Sequence, residues 1–254
     1  MTIPLLKLYG ERNTGTCYLS KIIEQNLHVI LIPGEVSGIL LKKTRKLKRI
    51  LSEERIEEIY FSTMFYKNLG WKHMLVKNAE DLCKYAICTR NLSIVTLTKN
   101  PYSWLLSLHR NPYHHYYSRK QDFETFLTST WKTLPHENAP GVLKSPIELW
   151  NIKNSSYLQL KDHLPILNLK YETIVREPGQ VLELISRSFS YTWKVQQFEN
   201  YDHSTKEEDK NSDFYRDYYL NEKWKEKLSP RSKSIINDQL DDNLMKYFNY
   251  QKLS

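Results

Sequence analysis

Two stretches of this chain place small residues, hydroxyls and a cation where a strand hands over to a helix. The first is Gly10-Glu11-Arg12-Asn13-Thr14-Gly15-Thr16-Cys17. Four residues separate Gly10 from Gly15, the gap of a phosphate-gripping loop, and Arg12 brings positive charge inside it. Backbone N–H groups and the positive end of a helix dipole converge at such a junction, so it suits a phosphate or a sulfate. Thr16 stands where a nucleoside triphosphatase loop needs its Lys, and a triphosphate relies on that ammonium. The loop reads as an anion site and as a poor ATPase site. The second stretch is Lys99-Asn100-Pro101, with Ser107 eight residues after Lys99. Asn100 as cap and Pro101 at the first helical position predict a helix start, hence a second anion site with a cation at its mouth.

The elements that must carry these turns follow from periodicity. Leu5, Leu6, Leu8 and Tyr9 predict a strand before the first turn, and Leu19, Ile22, Ile23 and Leu27 predict an amphipathic helix beginning near Thr14. Val29 to Ile32 reads as a second strand. Ser93 to Thr98 is the clearest strand, β-branched and apolar, and Tyr102 to Arg110 is helical. Gly70 to Val76, containing Lys72 and His73, reads as a turn and then a short strand. Strand alternation points neighbours to opposite faces, so Lys72 and His73 reach one site only if the chain turns there. Helices are expected after Ser52, over Asn78 to Ile87, over Asp122 to Thr128 and after the capping box Ser145-Pro146-Ile147-Glu148. A strand over Ile166 to Tyr171 precedes a helix opened by Glu177-Pro178. Ser229-Pro230 starts a last helix that carries Ile236, Leu240, Leu244, Tyr247 and Phe248 on one face. Strands alternating with helices call for an α/β fold on a mainly parallel central sheet.

With 254 residues, 40% hydrophobic and 13% aromatic, the chain fits one globular domain spanning 1–254, with 201–212 as a mobile loop. A net charge of +8 points to an anionic partner. The basic run Lys42 to Arg49 lacks interleaved aromatics for stacking on bases, and acidic residues follow at once, so it reads as a solvated helical face, with recruitment of an anionic substrate as the functional alternative, and not as a nucleic-acid site. Cys17, Cys83 and Cys88 form no disulfide or zinc framework. The patch of His109, His114 and His115 has no carboxylate or Cys at helical spacing and makes a poor metal site. No apolar run approaches the ~18 residues of a membrane span, and the expectation is a cytoplasmic chain.

Gly10 to Leu19 resembles the 5′-phosphosulfate loop of sulfotransferases, a modified P-loop with a basic residue ahead of a small-Gly-Thr run. Here Arg12 is that residue and Thr14-Gly15-Thr16 the run, with Asn13 inserted between them. Lys99-Asn100-Pro101 and Ser107 are similar to the family's Arg-Asn-Pro and trailing Ser, which hold a 3′-phosphate; Lys keeps the charge but loses the bidentate fork. Trp71-Lys72-His73 resembles a Lys-and-His segment in which the His acts as base. Leu169 to Pro178 is similar to the family's Arg-Tyr-Glu-Asp-Leu segment, with Tyr171 and Glu172 anchoring the sheet's end.

The resemblance implies a three-layer, P-loop-like fold and transfer of a sulfuryl group from 3′-phosphoadenosine-5′-phosphosulfate to a hydroxyl or amine. The product would be adenosine 3′,5′-bisphosphate, with no metal required. It implies binding by Arg12, Asn13, Thr14, Gly15, Thr16, Cys17, Lys99 and Ser107, and catalysis by His73, Arg12 and Lys72. Lys206, Lys210 and Arg216 are candidates for a further 3′-phosphate contact. The acceptor, a small molecule or a glycan, and the oligomeric state are not legible. The rival readings are a P-loop kinase or nucleotide-binding protein and a basic, non-catalytic polyanion-binding module.

Overall fold

The computed structural model describes residues 3–39, 51–76, 82, 91–112, 121–202 and 211–254. The basic run 42–49, the helix expected over 78–87, the residues 113–117, both distal cysteines, and Lys206 and Lys210 of the expected loop lie outside the described residues.

The central sheet runs β2 (Ile30–Leu31), β1 (Leu5–Gly10), β3 (Leu92–Thr98), β6 (Ile166–Lys170), and every pairing in it is parallel. Such a sheet is covered on both faces, and the strand residues divide accordingly. Leu6, Leu8, Val95 and Leu97 enter one apolar cluster, while Leu5, Tyr9, Leu92 and Ile94 enter the other. The first cluster is closed by α1 (Thr16–Asn26), α4 (Pro101–Arg110), α5 (Phe123–Thr128), α6 (Pro146–Leu158), α7 (Tyr171–Arg176) and α8 (Pro178–Phe189). The second receives the chain around Phe61 to Met74, including α2 (Glu53–Thr63) and the single turn α3 (Phe65–Asn68). The result is the three-layer α/β architecture with a mainly parallel sheet that the sequence predicts. Among the described residues, no helix is long and apolar enough to cross a membrane.

Lys7, on the second face, is fully buried. Its ammonium donates to the carbonyls of Asn68 and Gly70, each at 2.6 Å, and of Pro33 at 3.1 Å. Tyr9 adds a bond to the Leu69 carbonyl at 2.7 Å. Strand β1 thereby pins the left-handed turn at Leu69 (φ 55°) and Gly70 (φ 77°), which sets the position of the segment that follows.

Several elements differ from expectation. Residues 71–76 form no strand: Met74 N–H closes a turn on the Trp71 carbonyl at 3.1 Å. Helix α1 starts at Thr16, because Gly15 sits at φ 89° and acts as its cap. The last helix is two, α10 (Pro230–Gln239) and α11 (Asp242–Tyr247), since Leu240 is extended and Asp241 caps a new start on the N–H groups of Asn243 and Leu244. Ser212, the last residue of the expected 201–212 loop, opens helix α9 (Ser212–Leu220). The antiparallel pair β4 (Trp131–Lys132) and β5 (Val142–Leu143) has no counterpart in the sequence reading.

Candidate active site

Both anion turns lie at the carboxyl ends of adjacent strands, since Gly10 pairs with Leu97 in register. The first turn is sterically fixed. A Cβ on Gly10 would lie 2.8 Å from the Leu97 carbonyl oxygen, and one on Gly15 would lie 2.7 Å from the Tyr171 ring. Asn13 adopts φ 65°, and the Thr14 hydroxyl donates to the Glu11 carbonyl at 2.5 Å. The N–H groups of the first turn of α1 have no intrahelical partner. No side chain caps them and no acidic residue stands among them. That leaves an anion-seeking helix end.

Lys72 supplies the cation. Its Nζ lies 3.3 Å from Cys17 Sγ, in the first turn of α1. It also pairs with Glu35, a half-exposed carboxylate whose hold is weakened by solvent. The backbone of Lys72 is tied in as well, its carbonyl accepting from Gly10 N–H at 2.9 Å and its N–H donating to Gly34 at 3.0 Å.

His73 is buried next door, with Nδ1 2.5 Å from the Gly10 carbonyl. A carbonyl only accepts, so Nδ1 carries the proton and Nε2 keeps the lone pair. Burial first, then the charges of Lys72 and Arg12, hold its pKa well below the ordinary 6.5. At neutral pH the ring is an uncharged base with its tautomer set. Because the chain turns at 71–74, Lys72 and His73 both approach the first loop, which answers the alternation problem.

Arg12 behaves differently. Its guanidinium stacks 4.0 Å over the Trp71 ring and pairs with Glu137 at 3.2 Å and Glu11 at 3.5 Å. Lys153 joins both carboxylates at 3.1 Å and also donates to the His73 carbonyl. Burial alone would raise the Glu137 pKa, but Lys153 and Arg12 outweigh it and bring it down to about 2. The expected phosphosulfate grip by Arg12 thus meets a side chain already engaged in a buried four-membered ion cluster. Glu11 stands in the loop itself, but Glu137 and Lys153 have no signal in the sequence. Only the three-dimensional fold joins residues so far apart, and their charges resemble any surface charge in the sequence.

At the second turn, Lys99 is 2% exposed. Its Nζ lies 3.1 Å from Ser107 Oγ and 3.4 Å from the Asn13 carbonyl of the first loop. It also stands 3.9 Å over the Tyr219 ring and 4.8 Å over that of Tyr171. Among the described residues, no carboxylate lies within ion-pair distance of it. Asn100 caps α4 through Tyr102 N–H at 3.1 Å, and its own N–H donates to Glu172 at 3.0 Å. Tyr250 holds the other Glu172 oxygen at 2.8 Å, so Glu172 fixes the second turn to the end of the chain.

The structure therefore brings His73, Lys72, Asn13, Thr14, Gly15, Thr16, Cys17, Lys99 and Ser107 around one loop. His109 is held elsewhere, its Nε2 2.7 Å from the Gln121 carbonyl. Among the described residues, no three metal-ligating side chains gather.

The family model described as a sulfotransferase domain matches residues 10–251. No curated protein matches the chain. Among solved structures, a sulfotransferase domain from the Synechococcus PCC 7002 olefin synthase is similar at 15% identity and a TM-score of 0.49, over 98% of this chain and 94% of that one. A mouse sulfotransferase complexed with PAP is similar at 13% identity and a TM-score of 0.48, over 99% of this chain and 90% of that one.

Proposed function

The chain belongs to the sulfotransferase domain family, and we propose that it moves a sulfuryl group from 3′-phosphoadenosine-5′-phosphosulfate to a hydroxyl or amine of a small-molecule or glycan acceptor. The observation that carries this reading is the 3.4 Å approach of Lys99 Nζ to the Asn13 carbonyl. It means that the two anion turns share a wall, as the two ends of one doubly phosphorylated adenosine require. A buried ammonium without a carboxylate is costly, and a phosphate brought to it recovers that cost.

In this reading the N–H groups of Thr14 to Cys17 and the Lys72 ammonium hold the 5′-phosphosulfate, while Lys99 and Ser107 hold the 3′-phosphate. Arg12 braces the loop through its paired side chain and adds positive potential from behind. His73 Nε2 takes the proton of the acceptor hydroxyl as that oxygen bonds to sulfur. The bond from sulfur to the bridging phosphate oxygen breaks, its electron pair leaving on that oxygen, and Lys72 stabilises the charge. Adenosine 3′,5′-bisphosphate departs.

Thermal shift tests the reading directly. Adenosine 3′,5′-bisphosphate is expected to raise the melting temperature, and ATP with magnesium or an oligonucleotide is not. His73→Ala is expected to keep that shift while turnover falls by ~10² to 10⁴. A shift with ATP and magnesium alone would favour the kinase reading, and a shift with the oligonucleotide alone the polyanion module.

A further inference from the structure

Lys99 leaves a chemical gap. A guanidinium at a phosphate site offers two fixed N–H donors in a plane, whereas an ammonium is a point charge with no fixed fork. Helix α9 brings a phenol to this gap. Tyr219 OH lies 3.4 Å from Ser107 Oγ, and the Tyr219 ring lies beneath the Lys99 ammonium at 3.9 Å. Lys99, Ser107 and Tyr219 are all buried, so an ammonium, an alcohol and a phenol converge in one dry corner.

The hydrogen bonding shows which proton is spare. The Ser107 hydroxyl donates to the Ser103 carbonyl at 2.8 Å, so toward Lys99 and Tyr219 its oxygen accepts. The phenol proton is then the one shared with Ser107, across a separation too long for a good O–H···O bond. A buried donor so weakly engaged is unusual and calls for a better acceptor. Its ring is rigidly placed, edge-on to Tyr171 at 5.0 Å between centroids and stacked on Tyr215 at 6.4 Å. Burial would raise the phenol's pKa, yet Lys99 and its hydrogen bonds bring it below the ordinary value, which makes it a stronger donor.

We propose that Tyr219 is a third ligand of the donor's 3′-phosphate, its hydroxyl supplying the fixed second bond that Lys99 cannot. Beside Lys206, Lys210 and Arg216, the candidates that the family resemblance implies, the geometry adds a tyrosine one turn beyond Arg216 on α9. The inference rests on the donor assignment above and deepens it. The site becomes selective for a 3′-phosphate, over a free 3′-hydroxyl, by three groups and not two.

The test is calorimetric titration of the full chain and of Tyr219→Phe with adenosine 3′,5′-bisphosphate and with adenosine 5′-monophosphate. Phe keeps the ring, its packing and its face toward Lys99. The variant is expected to bind the bisphosphate about ten-fold more weakly, the worth of a hydrogen bond to a charged group, and the monophosphate within about two-fold of the parent. A ten-fold loss for both nucleotides would mark a merely structural role and overturn the proposal, as would no loss for either. Tyr219→Leu, which removes the ring as well, is expected to lose affinity for both nucleotides. If it matches Tyr219→Phe instead, the ring adds nothing and the hydroxyl alone acts. A parent chain that binds neither nucleotide would bring down the donor assignment itself, and this inference with it.

Discussion

The two anion turns share a backbone design but treat charge in opposite ways. Each follows a parallel strand, and each has a carbonyl held by a buried indole: Trp104 Nε1 bonds the Arg12 carbonyl at 2.8 Å and Trp150 Nε1 the Lys99 carbonyl at 3.0 Å. At the first turn, the motif's own cation is paired with Glu137 and Glu11, and the cation facing the loop comes from Lys72, distant in sequence. At the second, the motif's own cation faces the site and, among the described residues, has only hydroxyl, carbonyl and ring contacts. A charge already answered by protein stabilises the fold. One left unanswered is held ready for a ligand.

Substituting the two cations sharpens this contrast. Arg12→Met leaves Glu11 and Glu137 to Lys153 alone in a buried cluster, and the expected loss is about 3 to 5 kcal/mol of unfolding free energy, read by urea titration. Lys99→Met is expected not to lower apo stability, because the contacts it loses are offset by removing a buried ammonium that no carboxylate answers among the described residues. Its effect falls on binding: affinity for adenosine 3′,5′-bisphosphate should drop about 10- to 100-fold by calorimetry. Equal affinity losses in the two variants, with equal stability, would erase the distinction and restore Arg12 as a direct phosphosulfate ligand.

A smaller effect concerns pH. Burial first, and then the Arg12 charge, lower the His136 pKa from 6.5 to about 4. Between those values the unfolded chain binds the proton and the folded one does not, so stability falls as pH drops from about 6.5 toward 4. His73, shifted the same way, adds to the fall. His136→Phe, in a site already shared with Trp71 and Phe61, is expected to flatten part of that slope. A parent protein with level stability from pH 7 to about 4.5 would refute the assignment of neutral buried imidazoles.

The contrast also explains what the sequence made legible. Strand and helix starts at Gly10–Thr16 and Thr98–Pro101 rest on local chemistry: glycines that no side chain can replace, an Asn cap, a Pro at the first helical position. Those signals lie within a few residues and are readable. Lys99 and Ser107 lie eight residues apart across the start of α4, a spacing that the family resemblance marks, so their pairing is legible too. The pairing of Arg12 with Glu137 is not, because Glu137 lies 125 residues away in the short 3₁₀ turn Pro135–Glu137. The strand expected at His73 is absent for a related reason: the short apolar run Met74-Leu75-Val76 reads as a strand, while the bonds from Lys7 and Tyr9 to the preceding turn dictate the actual path.

The Tyr171 ring seated where Gly15 lacks a side chain has a consequence for how the molecule comes into being. The Gly10–Cys17 loop touches the start of the helix after β6, and Lys99 reaches back across 86 residues to Asn13. Contacts so remote in the chain are made only after the costly closing of long loops, which slows folding. If the proposed donor binds here, its pocket is complete only once β6 and the helix start at Tyr171 have joined the sheet.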